Sequence, residues 1–127
     1  MTKKILLIDD DPLVLKTLKK LLKAEGYCVE LAKAAQEGLE KGKTLNVDLI
    51  ICDVKMPEIN GIELIKQVKE FRKNENKPDV PVIFITGYAS EDAPIEAIKL
   101  GARDYLLKPF DLDKLLGSVK ANLAKSD

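Results

Sequence analysis

The sequence predicts an α/β fold: a three-layer α/β/α sandwich in which five parallel strands alternate with five helices in one domain. Three observations lead there. Short β-type runs and helix-period segments alternate along the whole chain. The runs Ile5-Leu6-Leu7-Ile8 and Leu49-Ile50-Ile51-Cys52 are apolar at consecutive positions, as in parallel strands covered by helices on both faces. No linker, repeat or low-complexity tract divides the 127 residues, which suffice for a single core.

The first strand is expected over Lys4 to Asp9. A helix follows, with Asp11 as N-cap, Pro12 at its first position, Val14, Leu18, Leu21 and Leu22 on one face, and Gly26 as its stop. Tyr27 to Leu31 and Ala34 to Gly42 form the second strand and helix, Val47 to Asp53 and Ile62 to Lys73 the third pair. The polar stretch Arg72 to Asp79 reads as a loop before a fourth strand over Val80 to Thr86. In the fourth helix, Ser90 to Leu100, Pro94 suits only a first turn or a distorted start. Asp104 to Lys108 and Asp111 to Lys125 complete the alternation.

Composition excludes several chemistries. Histidine is absent, which removes the usual base for a serine or cysteine nucleophile and the usual nitrogen ligand for zinc or copper. Any metal would be held through oxygen, favouring Mg2+, Mn2+ or Ca2+. With 21 basic against 21 acidic side chains, the overall field gives no reason to expect nucleic acid or an anionic membrane as a direct partner. No apolar run reaches the length of a membrane span, and Met1-Thr-Lys-Lys leads straight into the first strand without a signal segment, so a cytoplasmic location is expected. Cys28 and Cys52, without metal-ligand spacing, read as reduced core residues.

In an open parallel sheet, ligands gather beyond the carboxyl ends of the strands. Here those ends carry Asp9-Asp10-Asp11, Asp53, Thr86 and Lys108-Pro109. Each residue has an ordinary explanation: Asp11 before Pro12 is a helix cap more readily than a ligand, Thr86 is a common strand residue, and Lys108 is a solvated lysine at a loop. Their meeting on one edge is what signals chemistry. Carboxylates pressed together repel unless a cation joins them, and Mg2+ would leave coordination positions for phosphate oxygens, with Lys108 and Thr86 as donors to the same phosphate.

These residues resemble the receiver domains of two-component response regulators over essentially the whole chain. The likeness rests on Ile5-Leu6-Leu7-Ile8-Asp9-Asp10-Asp11, on Asp53-Val54-Lys55-Met56-Pro57-Glu58-Ile59-Asn60-Gly61, on Phe84-Ile85-Thr86-Gly87, and on Gly101-Ala102-Arg103-Asp104-Tyr105-Leu106-Leu107-Lys108-Pro109-Phe110. The resemblance implies a flavodoxin-like sheet of order 2-1-3-4-5, the order known for a chemotaxis receiver of this fold. In that order Cys28 and Cys52 lie on strands that are not neighbours. It implies a phosphoacceptor switch, not an enzyme acting on other substrates: Asp53 takes a phosphoryl group from a sensor histidine kinase, a histidine phosphotransfer protein or a small phosphodonor. Mg2+ (or Mn2+) would be held by Asp10, Asp53 and the backbone carbonyl of Lys55, with Asp9 acting through a water. Lys108 and Thr86 would stabilise the phosphoryl group. Thr86 and Tyr105 would form the switch, reshaping the surface of the fourth helix, fifth strand and fifth helix for an output protein or a phosphorylation-dependent homodimer.

Pro57 sets an extended or turn conformation and Asn60-Gly61 tolerates positive φ, so the loop is expected to be able to fold back and aim the Lys55 carbonyl inward. Lys108-Pro109 matches the family's cis peptide. Gly87, where alanine is common, should loosen its loop, and Lys55 and Tyr88 stand where they would influence the phosphoryl lifetime. The chain is expected to be a single-domain regulator, residues 1–127 forming one receiver domain. Two other readings compete: a haloacid-dehalogenase-like phosphatase using Asp9 and Asp11, which fits poorly because Leu13 stands where that motif wants Thr or Val, and a degenerate receiver-like or flavodoxin-like module that only docks partners or a nucleotide, against which the intact Asp10, Asp53, Thr86 and Lys108 argue.

Overall fold

The computed structural model describes residues 2–87, 93–109 and 111–124. Ten elements alternate: β1 (Lys4–Ile8), α1 (Pro12–Ala24), β2 (Cys28–Ala32), α2 (Ala35–Thr44), β3 (Leu49–Asp53), α3 (Gly61–Asn74), β4 (Val82–Thr86), α4 (Ala93–Lys99), β5 (Asp104–Leu107) and α5 (Leu112–Ala124). All four strand pairings are parallel, in the order β2-β1-β3-β4-β5. The expected sheet is therefore observed, with strand ends shifted by one or two residues.

The period of two along each strand divides the core. Leu6, Ile8, Ile50, Cys52, Val82 and Phe84 face one side, where they pack with Ala35 of α2, Ile62, Leu64, Ile65 and Val68 of α3, and Ala97 of α4. Ile5, Leu7, Leu49, Ile51, Ile83 and Ile85 face the other, against Leu15, Leu18 and Leu22 of α1 and Leu115, Val119 and Leu123 of α5. Both faces of β1, β3 and β4 are thus dry, which is why these runs are apolar at every position.

At the start of α1, the Asp11 side chain accepts the Leu13 N–H at 2.9 Å and Pro12 occupies the first turn. Beyond its end, Gly26 takes φ of +94° while its N–H and that of Tyr27 return to the Lys23 and Leu22 carbonyls. The inward face is turned by one residue from expectation: Leu15 is buried, and Val14 and Leu21 are only half-buried. Pro94 is the second residue of α4, as its fixed φ requires; the first expected residues of that helix, from Ser90, lie outside the described residues.

Two expectations are corrected. Cys52 is buried, but Cys28 is exposed, because it opens the edge strand β2, where one flank and the strand end meet solvent. The loop before β4 starts later than Arg72: that residue belongs to the last turn of α3, as the helix expected over Ile62 to Lys73 has it, and is 3% exposed. Its Nε donates to the Pro78 carbonyl at 3.0 Å and its Nη1 to the Gly42 and Leu45 carbonyls at 3.3 Å each. One guanidinium thereby ties the ends of α2 and α3 to the approach of β4. Replacing Arg72 by methionine would keep the volume but strand three carbonyls, so we expect a loss of about 2–3 kcal/mol, read as a lower urea midpoint at unchanged slope. A change below about 0.5 kcal/mol would refute this role.

Candidate functional site

The parallel register sets the ends of the central strands level: Ile8 pairs with Cys52, Asp53 with Ile85 and Thr86 with Leu107. The residues at or just past these ends, Asp9, Asp10, Asp53, Thr86 and Lys108, therefore share one edge. Asp9, Asp53 and Thr86 are buried, and Asp10 is exposed at the rim. Carboxylate oxygens of Asp9, Asp10 and Asp53 lie within 4.8 Å of one another.

Lys108 reaches into this group. Its backbone N–H bonds the Thr86 carbonyl, the Lys108–Pro109 peptide is cis as expected, and its Nζ lies 2.9 Å from Asp9 Oδ2 and 3.7 Å from Asp53 Oδ2. Burial raises the Asp53 carboxyl from 3.8 to about 6, reinforced by Asp9 and Asp10 and opposed by Lys108 and by a backbone hydrogen bond from Lys55. Burial alone would lower the Lys108 ammonium, yet the Asp9 hydrogen bond and the charges of Asp9, Asp53 and Asp11 win, and it is raised. Lys108 therefore stays charged where Asp53 needs it. In Lys108→Met the Asp53 carboxyl should titrate roughly one to three pH units higher, the Coulomb range for this separation at effective dielectrics from 80 down to 20. A carbon-detected NMR titration checks this, and an unmoved midpoint would contradict the pairing.

The donor set suits a hard divalent cation, being all oxygen and strongly anionic. The carboxylates are not equivalent. Asp9 has both oxygens engaged, Oδ1 by the Asp11 N–H at 2.9 Å and Oδ2 by Lys108, which favours contact with a cation through water. Asp11 faces outward as the α1 cap, so it does not join Asp9 as a paired acid and base. The Lys55 side chain is exposed, and Tyr88 lies outside the described residues.

The loop after Asp53 departs from expectation. Asn60 has φ of −68° and caps α3, its side chain accepting the Ile62 N–H, and the left-handed residue is Glu58 at φ of +75°. Gly61 serves a different need from conformational freedom: a Cβ there would overlap the Asp53 carbonyl and crowd Cys52 Sγ. The chain passes so close that the Gly61 N–H bonds the Val54 carbonyl at 2.6 Å. The sequence reading missed this role of Gly61, although a glycine opening a helix eight residues past an acidic strand end was a visible signal.

Tyr105 pairs in register with Phe84 and packs half-buried against the α2–α3 side of the core. Its hydroxyl is buried with no hydrogen-bond partner among the described residues, and burial raises its pKa. Gly87 stands beside Lys108: a Cβ there would meet Lys108 Cβ and Cδ at ordinary contact distance.

Comparison with known proteins agrees with this geometry. A family model described as the response regulator receiver domain matches residues 5–120. The transcriptional regulatory protein ZraR of Klebsiella oxytoca is 42% identical over 120 residues, covering 94% of this chain but 26% of that protein. The chain thus spans about a quarter of the length of this relative. A CheY-like response regulator receiver domain protein from Methanospirillum hungatei superposes with a TM-score of 0.89 at 34% identity, over 98% of this chain and 96% of the other. The response regulator TrrA of Thermotoga maritima, solved in complex with Mg(2+)-BeF, superposes with a TM-score of 0.81 at 34% identity, covering 96% of this chain and 100% of that one.

Proposed function

The chain belongs to the response regulator receiver domain family of two-component systems, and on that premise we propose that Asp53 accepts a phosphoryl group and so switches the domain between two signalling states. The observation that carries this reading is the Lys108 ammonium held between Asp9 and Asp53 at the rim of three clustered carboxylates. An Asp53 oxygen attacks the phosphorus of a phosphohistidine on a sensor kinase or phosphotransfer protein. The P–N bond breaks, the imidazole leaves with the electron pair, and a mixed anhydride forms on Asp53. Catalysis is positioning and charge neutralisation, so the chain promotes only its own phosphorylation and dephosphorylation.

Lys108 follows the transferred group, exchanging part of its contact with Asp53 for a phosphoryl oxygen, and the Thr86 hydroxyl donates to another. Asp10, Asp53 and the Lys55 carbonyl would hold Mg2+ or Mn2+, with Asp9 holding it through a water. The cation supplies neutralisation of the charge shared by donor and acceptor. For docking of the donor, Leu13 is 69% and Leu112 41% exposed, flanking a shallow groove of about 270 Å³ that also touches Lys108 and Pro109. An apolar patch beside an anionic site fits a helical protein donor better than a free metabolite.

On the output side, Thr86 moving toward the phosphoryl group would free space for Tyr105, whose buried hydroxyl has no hydrogen-bond partner among the described residues. The surface of α4, β5 and α5 would then change, and its exposed Ile98 and Leu107 suit an output protein or a second copy. No helix among the described residues is long and apolar enough to cross a membrane, and we place the domain, residues 1–127 acting as one unit, in the cytoplasm.

The test is intact-protein mass after incubation with acetyl phosphate or phosphoramidate, with and without Mg2+, for the wild type and Asp53→Ala. We expect a single labile, Mg2+-dependent adduct that the variant lacks. No adduct under any condition would overturn phosphorylation in favour of a docking module.

A further inference from the structure

A second charged feature lies at the opposite end of the sheet. Lys69, Arg72, Lys73, Asn76, Lys77 and Asp79 line a cleft of about 500 Å³ at the carboxyl end of α3. The length of α3, 14 residues at 1.5 Å each, separates it by about 20 Å from the Asp53 edge. Lys69 is paired with Asp79 at 2.9 Å, but Arg72, Lys73 and Lys77 meet no carboxylate at ion-pair distance among the described residues.

Cations are common in the last turn of a helix, where they offset the dipole, and this accounts for Arg72 and Lys73. It does not account for the rest. Lys77 lies beyond the helix and is brought back by Asn76, whose φ of +57° turns the chain so that the Lys77 N–H bonds the Arg72 carbonyl. Lys77 Nζ then donates to the Lys43 carbonyl and sits 5.8 Å from the centre of the Phe71 ring, while Lys43 Nζ sits 5.2 Å from it. The Lys77 ammonium is thus held in place before any ligand arrives, while Lys73 is exposed beside it. Arg72, 3% exposed, spends Nε and Nη1 on three carbonyls, leaving Nη2 without a hydrogen bond among the described residues while the side chain lines the cleft.

We propose that this cleft binds an oligophosphate chain, inorganic or carried by a nucleotide, with Arg72, Lys73 and Lys77 as its donors. Concavity and clustered positive charge favour a compact anion of several charges over a flat protein surface, and a guanidinium edge with two ammonium groups matches adjacent phosphates. The inference does not depend on phosphorylation of Asp53.

The experiment titrates tripolyphosphate, and separately ATP, into the full chain in EDTA at low salt, with calorimetry for affinity and nitrogen–proton NMR for location. Expected are saturable binding, amide shifts centred on residues 69–77, and affinity weakened roughly tenfold or more in Lys73→Ala/Lys77→Ala but unchanged in Lys108→Met. Tighter binding of ATP than of tripolyphosphate would assign a nucleotide, and the reverse the inorganic chain. Lys73→Glu alone gives the same reading if the double variant folds poorly. Absence of saturation at millimolar ligand, shifts centred on Asp9, Thr86 and Lys108, or affinity unmoved by the lysine variants would each overturn the proposal.

Discussion

Asp53→Asn should abolish the phosphoryl adduct and, in EDTA at pH 7.5, raise the melting temperature by roughly 4–8 °C. The sign follows from the direction of the Asp53 shift. Its carboxyl titrates at about 6 in the folded protein against 3.8 ordinarily, so the folded state holds this proton more tightly than the unfolded chain. The associated stability is complete below about 3.8 and is lost as pH rises through about 6, leaving the ionised Asp53 as a net cost at pH 7.5. At 1.4 kcal/mol per tenfold in proton affinity the bound is about 3 kcal/mol, and solvent screening through the side of the site where Asp10 is exposed reduces it to about 1–2 kcal/mol. Asparagine removes the charge at nearly constant shape. Added Mg2+ should stabilise the wild type by mass action and the variant much less, closing the gap. Scanning fluorimetry of both proteins across pH 4–8 decides the matter, and a variant melting at or below the wild type in EDTA would refute the account.

Gly61→Ala should be the most damaging of the glycine-to-alanine changes among the described residues. In an ordinary helix the substitution gains about 0.5–1 kcal/mol from propensity. Here the new methyl would fall on the Asp53 carbonyl, which is backbone and cannot rotate aside, with Cys52 Sγ close behind. Relief requires α3 to move away from the end of β3, at a net cost of about 2–4 kcal/mol. The same shift displaces Asp53, so phosphorylation should slow, by up to about a hundredfold if the displacement reaches about 1 Å. Urea unfolding and adduct formation rates test both parts. A variant within about 0.5 kcal/mol of the wild type would show that the close approach is dispensable.

The features legible in the sequence were those written in side-chain polarity. Consecutive apolar residues in β1 and β3 announced strands buried on both faces, and Asp11-Pro12 announced the start of α1, because each pattern has one local physical cause. The cluster of Asp9, Asp10, Asp53 and Lys108 was legible for a related reason: a parallel sheet brings strand ends together whatever its detailed register. Features written in backbone position were not. Nothing in the composition of Arg72 to Asp79 says that three carbonyls from separate segments converge on Arg72, or that Asn76 swings Lys77 over Phe71. Cys28 looked like core because its neighbours in sequence are apolar, whereas its exposure is set by the edge position of β2. Asn60-Gly61 looked like a turn because that dipeptide favours one, but the helix beginning there used Asn60 as a cap and Gly61 for closeness.

The hydrogen bond from Lys108 to Asp9 spans 99 positions of the sequence, and Asp53 lies between its ends. The charge balance of this cluster therefore cannot be acquired piecemeal during synthesis. A nascent chain that has delivered its first four strands carries every carboxylate of the site yet lacks the ammonium that balances them, so on the proposed role of Asp53 it should react fully with phosphodonors only once β5 and the residue after it have emerged and docked. If Asp53 is the acceptor proposed above, reactivity toward acetyl phosphate would double as a reporter of complete folding: an intermediate with a formed core but an undocked fifth strand would pass a test of helical content and fail this one.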